Sequence, residues 1–210
     1  MPTAQFLAVP NGVDPDYFAP AGLEQRPDSV IFVGTMSWYP NVDAVAFFLR
    51  EVWPLLRAKV PTVTFDIVGA DAPVELRELA ARSPGVTLHG FVPEIRPVIE
   101  RAALYVCPIR DGGGTKLKIL DALAMSKCVL AHPVACEGIS VSAGVDVVFA
   151  ESAEEFASQA SALLASPERR RAIGAAARQL ATSQYNFAAL AERLTSALVA
   201  VAGNESVAAA

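Results

Sequence analysis

The residues best suited to chemistry lie in one stretch, Pro108–Met125, which reads PIRDGGGTKLKILDALAM. An apolar run ends at Pro108, the glycines Gly112, Gly113 and Gly114 come next, and a helical pattern starts near Thr115. Glycine lets a backbone come close to a ligand, and the free N–H groups of a helix's first turn favour an anion. Arg110, Lys116 and Lys118 put three cations around the same point. A pyrophosphate has the charge and size that such a turn would hold. The same residues also fit a loop with solvated cations and an i, i+3 pair between Lys118 and Asp121. Both standard phosphate motifs are missing. A Walker loop needs Gly-Lys-Ser/Thr, and the dinucleotide fingerprint needs glycine where Leu117 stands. That argues against an ATPase and against a nicotinamide dehydrogenase.

The elements that must position this stretch alternate in character. Ser29–Gly34, Thr62–Gly69, Val86–His89, Ala103–Pro108, Cys128–Ala131 and Val147–Ala150 are short, nearly continuous apolar runs. Such runs suit strands buried on both faces of a parallel sheet. Between them the helical period appears. Val45, Phe48, Leu49 and Val52 share one face of 41–59, with Asn41 as its N-cap and Pro54 kinking or shortening it. Further helices are expected over 73–82, 95–102 and 115–125. Ser152 and Glu155 form a capping box, Pro167 opens another helix, and Phe187, Leu190, Leu194 and Leu198 mark the last one. The pattern predicts an α/β fold, a doubly wound, mostly parallel sheet with helices on both faces. Ligands in such sheets sit beyond the C-terminal strand ends, which selects the loops 34–41, 69–73, 90–93 and 108–118.

Composition narrows the classes further. The chain has 210 residues, 53% hydrophobic and 19% charged, with a net charge of −5, which excludes a disordered polymer and a broad basic surface for nucleic acid. No apolar run approaches the roughly 20 residues that cross a bilayer. The first 20 residues lack the pattern of a secretory signal. Cys107, Cys128 and Cys136 read as buried reduced thiols of a cytoplasmic protein, and neither they nor His89 and His132 form a metal-ligand spacing. His89 is expected to pack at a strand end and His132 to lie in a turn.

Several stretches, taken in order, resemble the C-terminal, donor-binding domain of a GT-B-fold glycosyltransferase of the retaining group 1 family. Val9-Pro-Asn-Gly-Val-Asp14 with Tyr17-Phe18 is similar to the segment entering that domain, and Phe32-Val-Gly-Thr-Met36 with Tyr39-Pro-Asn41 to its first strand and loop. Phe65–Gly69 resembles the second strand, and His89-Gly-Phe-Val92 the loop beside the nucleotide base. Gly113–Ala124 with the later Glu137-Gly138 resembles the donor signature. The resemblance covers about Val9 to Tyr185. It implies an interdomain connection at 1–20, a Rossmann-like nucleotide-sugar-binding domain at 21–202 and a tail at 203–210.

The resemblance further implies transfer of a sugar from a nucleotide-sugar to an acceptor with retention, in polysaccharide or glycoconjugate assembly. The nucleotide-sugar is a substrate; no cofactor and no metal are implied. The donor-binding residues it implies are Gly34, Thr35, Met36, Gly90, Phe91, Val92, Arg110, Gly113, Gly114, Thr115, Lys116, Lys118 and Asp121. The backbone from Gly113 to Lys118 would hold the diphosphate, Arg110 and Lys118 would clamp it, and Asp121 would accept from ribose hydroxyls. Gly90, Phe91 and Val92 would meet the base, with the Phe91 ring itself in the core. Glu137 would face the donor sugar.

The sequence departs from the family in three ways. Gly113 stands where the family's signature has its first glutamate, Asp121 replaces the second, and Ser37-Trp38-Tyr39-Pro40 replaces a basic pair after the first strand. The resemblance implies that the acceptor site and half of the cleft belong to an N-terminal domain outside this chain. Donor binding without sugar transfer is therefore expected, as is an apolar stripe at 187–201 that packs in the core or between domains. A cytoplasmic location, peripheral to the membrane in a longer protein, is the implied setting. A sugar-nucleotide epimerase and a non-catalytic nucleotide-binding module are the alternatives.

Overall fold

The computed structural model describes residues 9–208, with side chains for residues 9–200. All six apolar runs become strands: β1 (Arg26–Val33), β2 (Thr64–Val68), β3 (Val86–Gly90), β4 (Ala102–Cys107), β5 (Val129–Ala131) and β6 (Val148–Phe149). They form one parallel sheet in the order β3-β2-β1-β4-β5-β6. Every residue of β4 and β5 is buried, which is why these strands read as unbroken apolar runs. The order reverses between β1 and β4, so a crevice opens at their C-terminal ends.

Among the described residues, eight α-helices connect and cover the strands: α1 (Tyr39–Phe47), α2 (Trp53–Lys59), α3 (Val74–Arg82), α4 (Arg96–Arg101), α5 (Leu117–Ala124), α6 (Ala153–Leu164), α7 (Pro167–Gln184) and α8 (Phe187–Ala208). They lie on both faces of the sheet. Phe48, Trp53, Phe65 and Phe156 cluster on one face, where α6 packs against α2. The capping box at Ser152 forms as anticipated, with Glu155 N–H donating to Ser152 Oγ at 3.1 Å.

Two details of the first helix depart from the sequence reading. It begins at Tyr39, so Asn41 lies inside the first turn and is 2% exposed instead of capping. The α-helix also ends early, at Phe47, and a second one starts at Trp53, just before Pro54. A π-helical turn at Phe48–Val52, with Trp53 N–H donating to Phe48 O, carries the helix across the proline, which has no N–H of its own.

Cations close the helix ends. Arg170 Nη1 donates to Leu163 O and Leu164 O (2.5 and 2.7 Å) at the end of α6, where the macrodipole favours positive charge. Arg178 reaches Ala124 O at the end of α5 and also Phe18 O at 3.2 Å. Lys127 is 1% exposed, donates to Glu100 O and Ala102 O, and is held down to a pKa of about 8 by burial. The entering segment is tied along the domain. Val13 N–H donates to Tyr185 O at 2.8 Å, and the Glu100 carboxylate accepts from the N–H groups of Gly22 and Leu23 at 2.7 and 2.9 Å.

Gly174 shows where packing overrides propensity. Glycine inside a helix costs about 1 kcal/mol relative to alanine. Here a β-carbon would stand 2.1 Å from Ser126 O, because α7 crosses the end of α5 at that point. Gly174→Ala should therefore lower stability, by roughly 2 kcal/mol in denaturant melts, as overpacking does. A gain in stability would show that the two helices can move apart.

Candidate functional site

Three loops at the C-terminal edge of the sheet are stitched together through their backbones. Gly34 N–H donates to Val68 O at 2.9 Å, Met36 N–H to Ala70 O at 2.8 Å, and Gly69 N–H to Gly90 O at 2.9 Å. A β-carbon on Gly69 would stand 1.9 Å from Gly34 O, so no other residue fits there. Above these loops opens an apolar cavity of about 280 Å³, lined by Gly34, Thr35, Gly69, Ala70, Phe91 and Val92 among others. Phe91 is 75% exposed, which corrects the expectation that its ring packs in the core. Gly90 has φ +67°, and this left-handed turn precedes Phe91.

Across the crevice lies the glycine-rich turn. Gly112 packs against Pro40 and Trp38, while the β-carbon positions of Gly113 and Gly114 face open space. Helix α5 starts at Leu117, two residues later than anticipated. The N–H groups from Gly113 through Lys118 have no hydrogen-bond partner among the described residues. Consecutive free amides of this kind, at a helix N-terminus, form a concavity for an anion.

The three cations are less available than their number suggests. The Arg110 guanidinium bonds Asp43 Oδ2 at 3.1 Å and stacks on the Phe47 ring at 3.9 Å. Lys116 is 4% exposed and turns back to donate to Gly112 O, closing the loop on itself. Lys118 is the one cation of the three directed into the crevice. Its Nζ donates to Asn41 Oδ1 and lies 4.7 Å from the Phe32 ring centre and 5.8 Å from that of Trp38. A β-carbon on Gly34 would lie 2.3 Å from this amine. Gly34 thus makes room for Lys118 and Asn41, whatever ligand approaches. Asn41 Nδ2 donates in turn to Thr35 O at 2.7 Å, so one amide joins loop, helix and lysine.

Burial pulls the Lys118 ammonium down to a pKa of about 8; the nearby Cys107 thiol works against that shift and Lys116 reinforces it. One turn further along α5, burial pushes Asp121 up to about 6. Asp121 forms neither an ion pair with Lys118 nor a side-chain hydrogen bond among the described residues. The simple surface pair between these residues does not form. A desolvated carboxylate without a partner is costly, and such groups cluster at functional sites.

The structure brings Gly34, Thr35, Phe91 and Val92 to one cavity, with Gly90 bonded to its floor at Gly69 and Lys118 Nζ beside Gly34; Gly113, Gly114 and Thr115 lie in the turn before α5, and Asp121 lies one turn along that helix. Met36 is 2% exposed, so its side chain belongs to the core. Asn41, Asp43 and Trp38 were missed as site residues. A signal existed for Asn41: it continues the apolar stripe of Val45 and Phe48 at helical spacing, where a polar residue needs a buried partner. His132 takes its anticipated turn position, with Nδ1 accepting from Val134 N–H at 3.3 Å. The three cysteines are buried and free. Among the described residues, no cluster of His, Cys, Asp or Glu is placed to hold a metal ion, and no helix is long and apolar enough to cross a membrane. A larger cavity of about 450 Å³ lies between the 138–140 turn and the α7–α8 junction, with Arg193 as the only charged side chain that lines it among the described residues.

Known proteins share this fold and part of this sequence. Residues 27–166 match the family model described as glycosyl transferases group 1. A protein described as an uncharacterized 44.6 kDa protein in the cps region of Klebsiella pneumoniae is 24% identical over 136 residues, covering 61% of this chain and 35% of its own length. A glycosyltransferase from Rickettsia africae superposes with a TM-score of 0.78 at 15% identity, over 94% of this chain and 57% of that one. HepE from Anabaena, solved in complex with UDP, gives 0.74 at 16% identity over 90% and 56%. The C-terminal domain of the group 1 protein LpcC from Francisella tularensis gives 0.64 at 17% identity, over 84% of this chain and 100% of that domain. The chain thus spans about a third of the curated relative and just over half of the longer structures. At these identities the structures establish the fold alone.

The titration of Asp121 gives a test of its environment. Its folded pKa lies above the ordinary value of 3.8, so its contribution to stability falls as pH rises from about 4 to 6 and stays lost above. Asp121→Asn should raise the melting temperature at pH 7, and the advantage should shrink below pH 6 and vanish near pH 4. A constant offset across that range would show that the carboxylate is not desolvated.

Proposed function

The chain belongs to the group 1 glycosyl transferases, and from that premise we propose that it forms the donor-binding domain of a retaining enzyme in polysaccharide or glycoconjugate assembly. The observation that carries the reading is the run of amides from Gly113 to Lys118, without partners among the described residues, that leads into α5, together with the Lys118 ammonium held beside Gly34 at the rim of an apolar cavity. A diphosphate fits the amides and the ammonium. A flat base fits the apolar cavity beside the exposed Phe91 ring, and Asp121 on α5 is free to accept from a ribose hydroxyl.

The chemistry is dictated by charge. As the glycosidic bond to the phosphate breaks, negative charge grows on the leaving diphosphate. Fixed amides and a fixed ammonium stabilise that charge without reorganising, which lowers the barrier. Gly113 offers no side chain to the donor sugar, so recognition of its hydroxyls falls to backbone groups and to Glu137 on a later loop. The acceptor belongs on a partner domain; this chain alone binds donor and transfers little or no sugar. The interdomain connection at 1–20 fits the tethered course of residues 13–23 along the domain. Residues 1–8 lie outside the described residues. Of the expected tail at 203–210, the backbone is helical to Ala208.

Uridine diphosphate is the first ligand to try, since HepE is solved with it. Titration calorimetry should show binding of uridine diphosphate and its sugar conjugates, without measurable transfer to an acceptor. Lys118→Ala should weaken that binding roughly 10- to 100-fold, the range of a charge-assisted hydrogen bond. Phe91→Ala should weaken it roughly tenfold through lost stacking. Failure of uridine, guanosine and adenosine diphosphates alike to bind the unaltered chain would end the reading.

A further inference from the structure

His89 is the extra residue of a β-bulge. Strand β3 pairs in step with β2 through Val86, Thr87 and Leu88 opposite Phe65, Asp66 and Ile67. The next pair is Gly90 with Val68, which leaves His89 without a counterpart. A bulge re-aims the residues on its C-terminal side. In β3 the first of these is Gly90, whose carbonyl accepts from Gly69 N–H; Phe91 and Val92 come next and line the apolar wall of the crevice.

The bulge is pinned by a polar contact that an apolar strand would not otherwise need. His89 Nε2–H donates to Asp66 Oδ1 at 2.6 Å, and the Arg26 guanidinium bonds Asp66 Oδ2. The Asp66 side chain is 6% exposed and sits between the buried residues Phe65 and Ile67. A buried carboxylate is costly unless its oxygens are paired, and here both are. The His89 ring has little else to hold it. Its side chain is 32% exposed and borders a cavity of about 250 Å³ against Pro97 and Val98 of α4.

We propose that Asp66 and His89 are positioning residues for the nucleobase end of the donor site: their hydrogen bond fixes the bulge that sets the Gly90–Val92 wall. The inference rests on the donor-binding reading. Without the ring, β3 can slip by one residue, which turns Phe91 and Val92 to opposite sides. The diphosphate contacts belong to the turn across the crevice, beyond β1 and β4, and are untouched by such a slip. Base binding and phosphate binding should therefore respond differently.

The test compares uridine diphosphate with inorganic pyrophosphate by calorimetry on the 210-residue chain. His89→Ala should weaken uridine diphosphate about tenfold, the scale of a lost hydrogen bond to a charged group, and leave pyrophosphate unchanged. His89→Gln, whose amide can still donate to Asp66, should restore most of the nucleotide affinity. Unchanged uridine diphosphate binding by His89→Ala, or equal weakening of both ligands, would overturn the proposal. Should His89→Ala fail to fold, NMR on the unaltered chain decides. The His89 ring signals should shift with uridine diphosphate and not with pyrophosphate; a still ring on nucleotide binding overturns it. If the unaltered chain binds pyrophosphate and no nucleoside diphosphate, the donor reading fails first and this proposal with it.

Discussion

The space above Gly34 organises the crevice. A lysine amine and an asparagine amide fill the volume that any side chain on that residue would take. The amine comes from α5, the amide from α1, and the floor from the end of β1, so a helix 77 positions further along the chain meets the β1–α1 junction at one point. Moving any of them strands a buried charge, which costs far more than a lost surface contact. The backbone contact of Gly69 with Gly34 O extends the same logic to β2. The site is thereby built before any ligand arrives. That is the property required of groups that stabilise charge as it develops.

Charge in this crevice is used sparingly. Arg110 and Lys116 direct their donors to Asp43 and to Gly112 O, and both contacts shape the glycine-rich turn. The open amides of that turn, and Lys118, remain for an anion. Backbone amides carry no net charge and need no counter-ion, so they can stand unpaired at the surface where a second ammonium would repel the first. The depressed pKa of Lys118 shows the limit: burial already disfavours its charged form, and Lys116 adds to that. The arrangement suits a ligand that brings two negative charges of its own.

Much of the fold was legible in the sequence because burial on both faces leaves a plain trace. Strands β4 and β5 can only be apolar throughout, and they read that way. The capping box at Ser152 and the proline opening α7 are local codes, satisfied within a few residues. Local codes failed where tertiary contacts overrode them. Asn41 has the chemistry of a cap, but Lys118, 77 positions away in the sequence, supplies its partner. Phe91 looks like core by residue type and lies 75% exposed, because a bulge at His89 and a left-handed Gly90 turn the chain at the strand end.

By itself the sequence determined the layered α/β architecture, the loops that could meet a ligand, and a glycine-rich, cationic turn, since periodicity and residue type act over short spans. Only the tertiary structure decided which cation faces the crevice, that Asp121 has no partner among the described residues, and that Asp66 bonds His89 at a strand end. Those outcomes depend on distances between residues brought together by the sheet, and no local pattern encodes them.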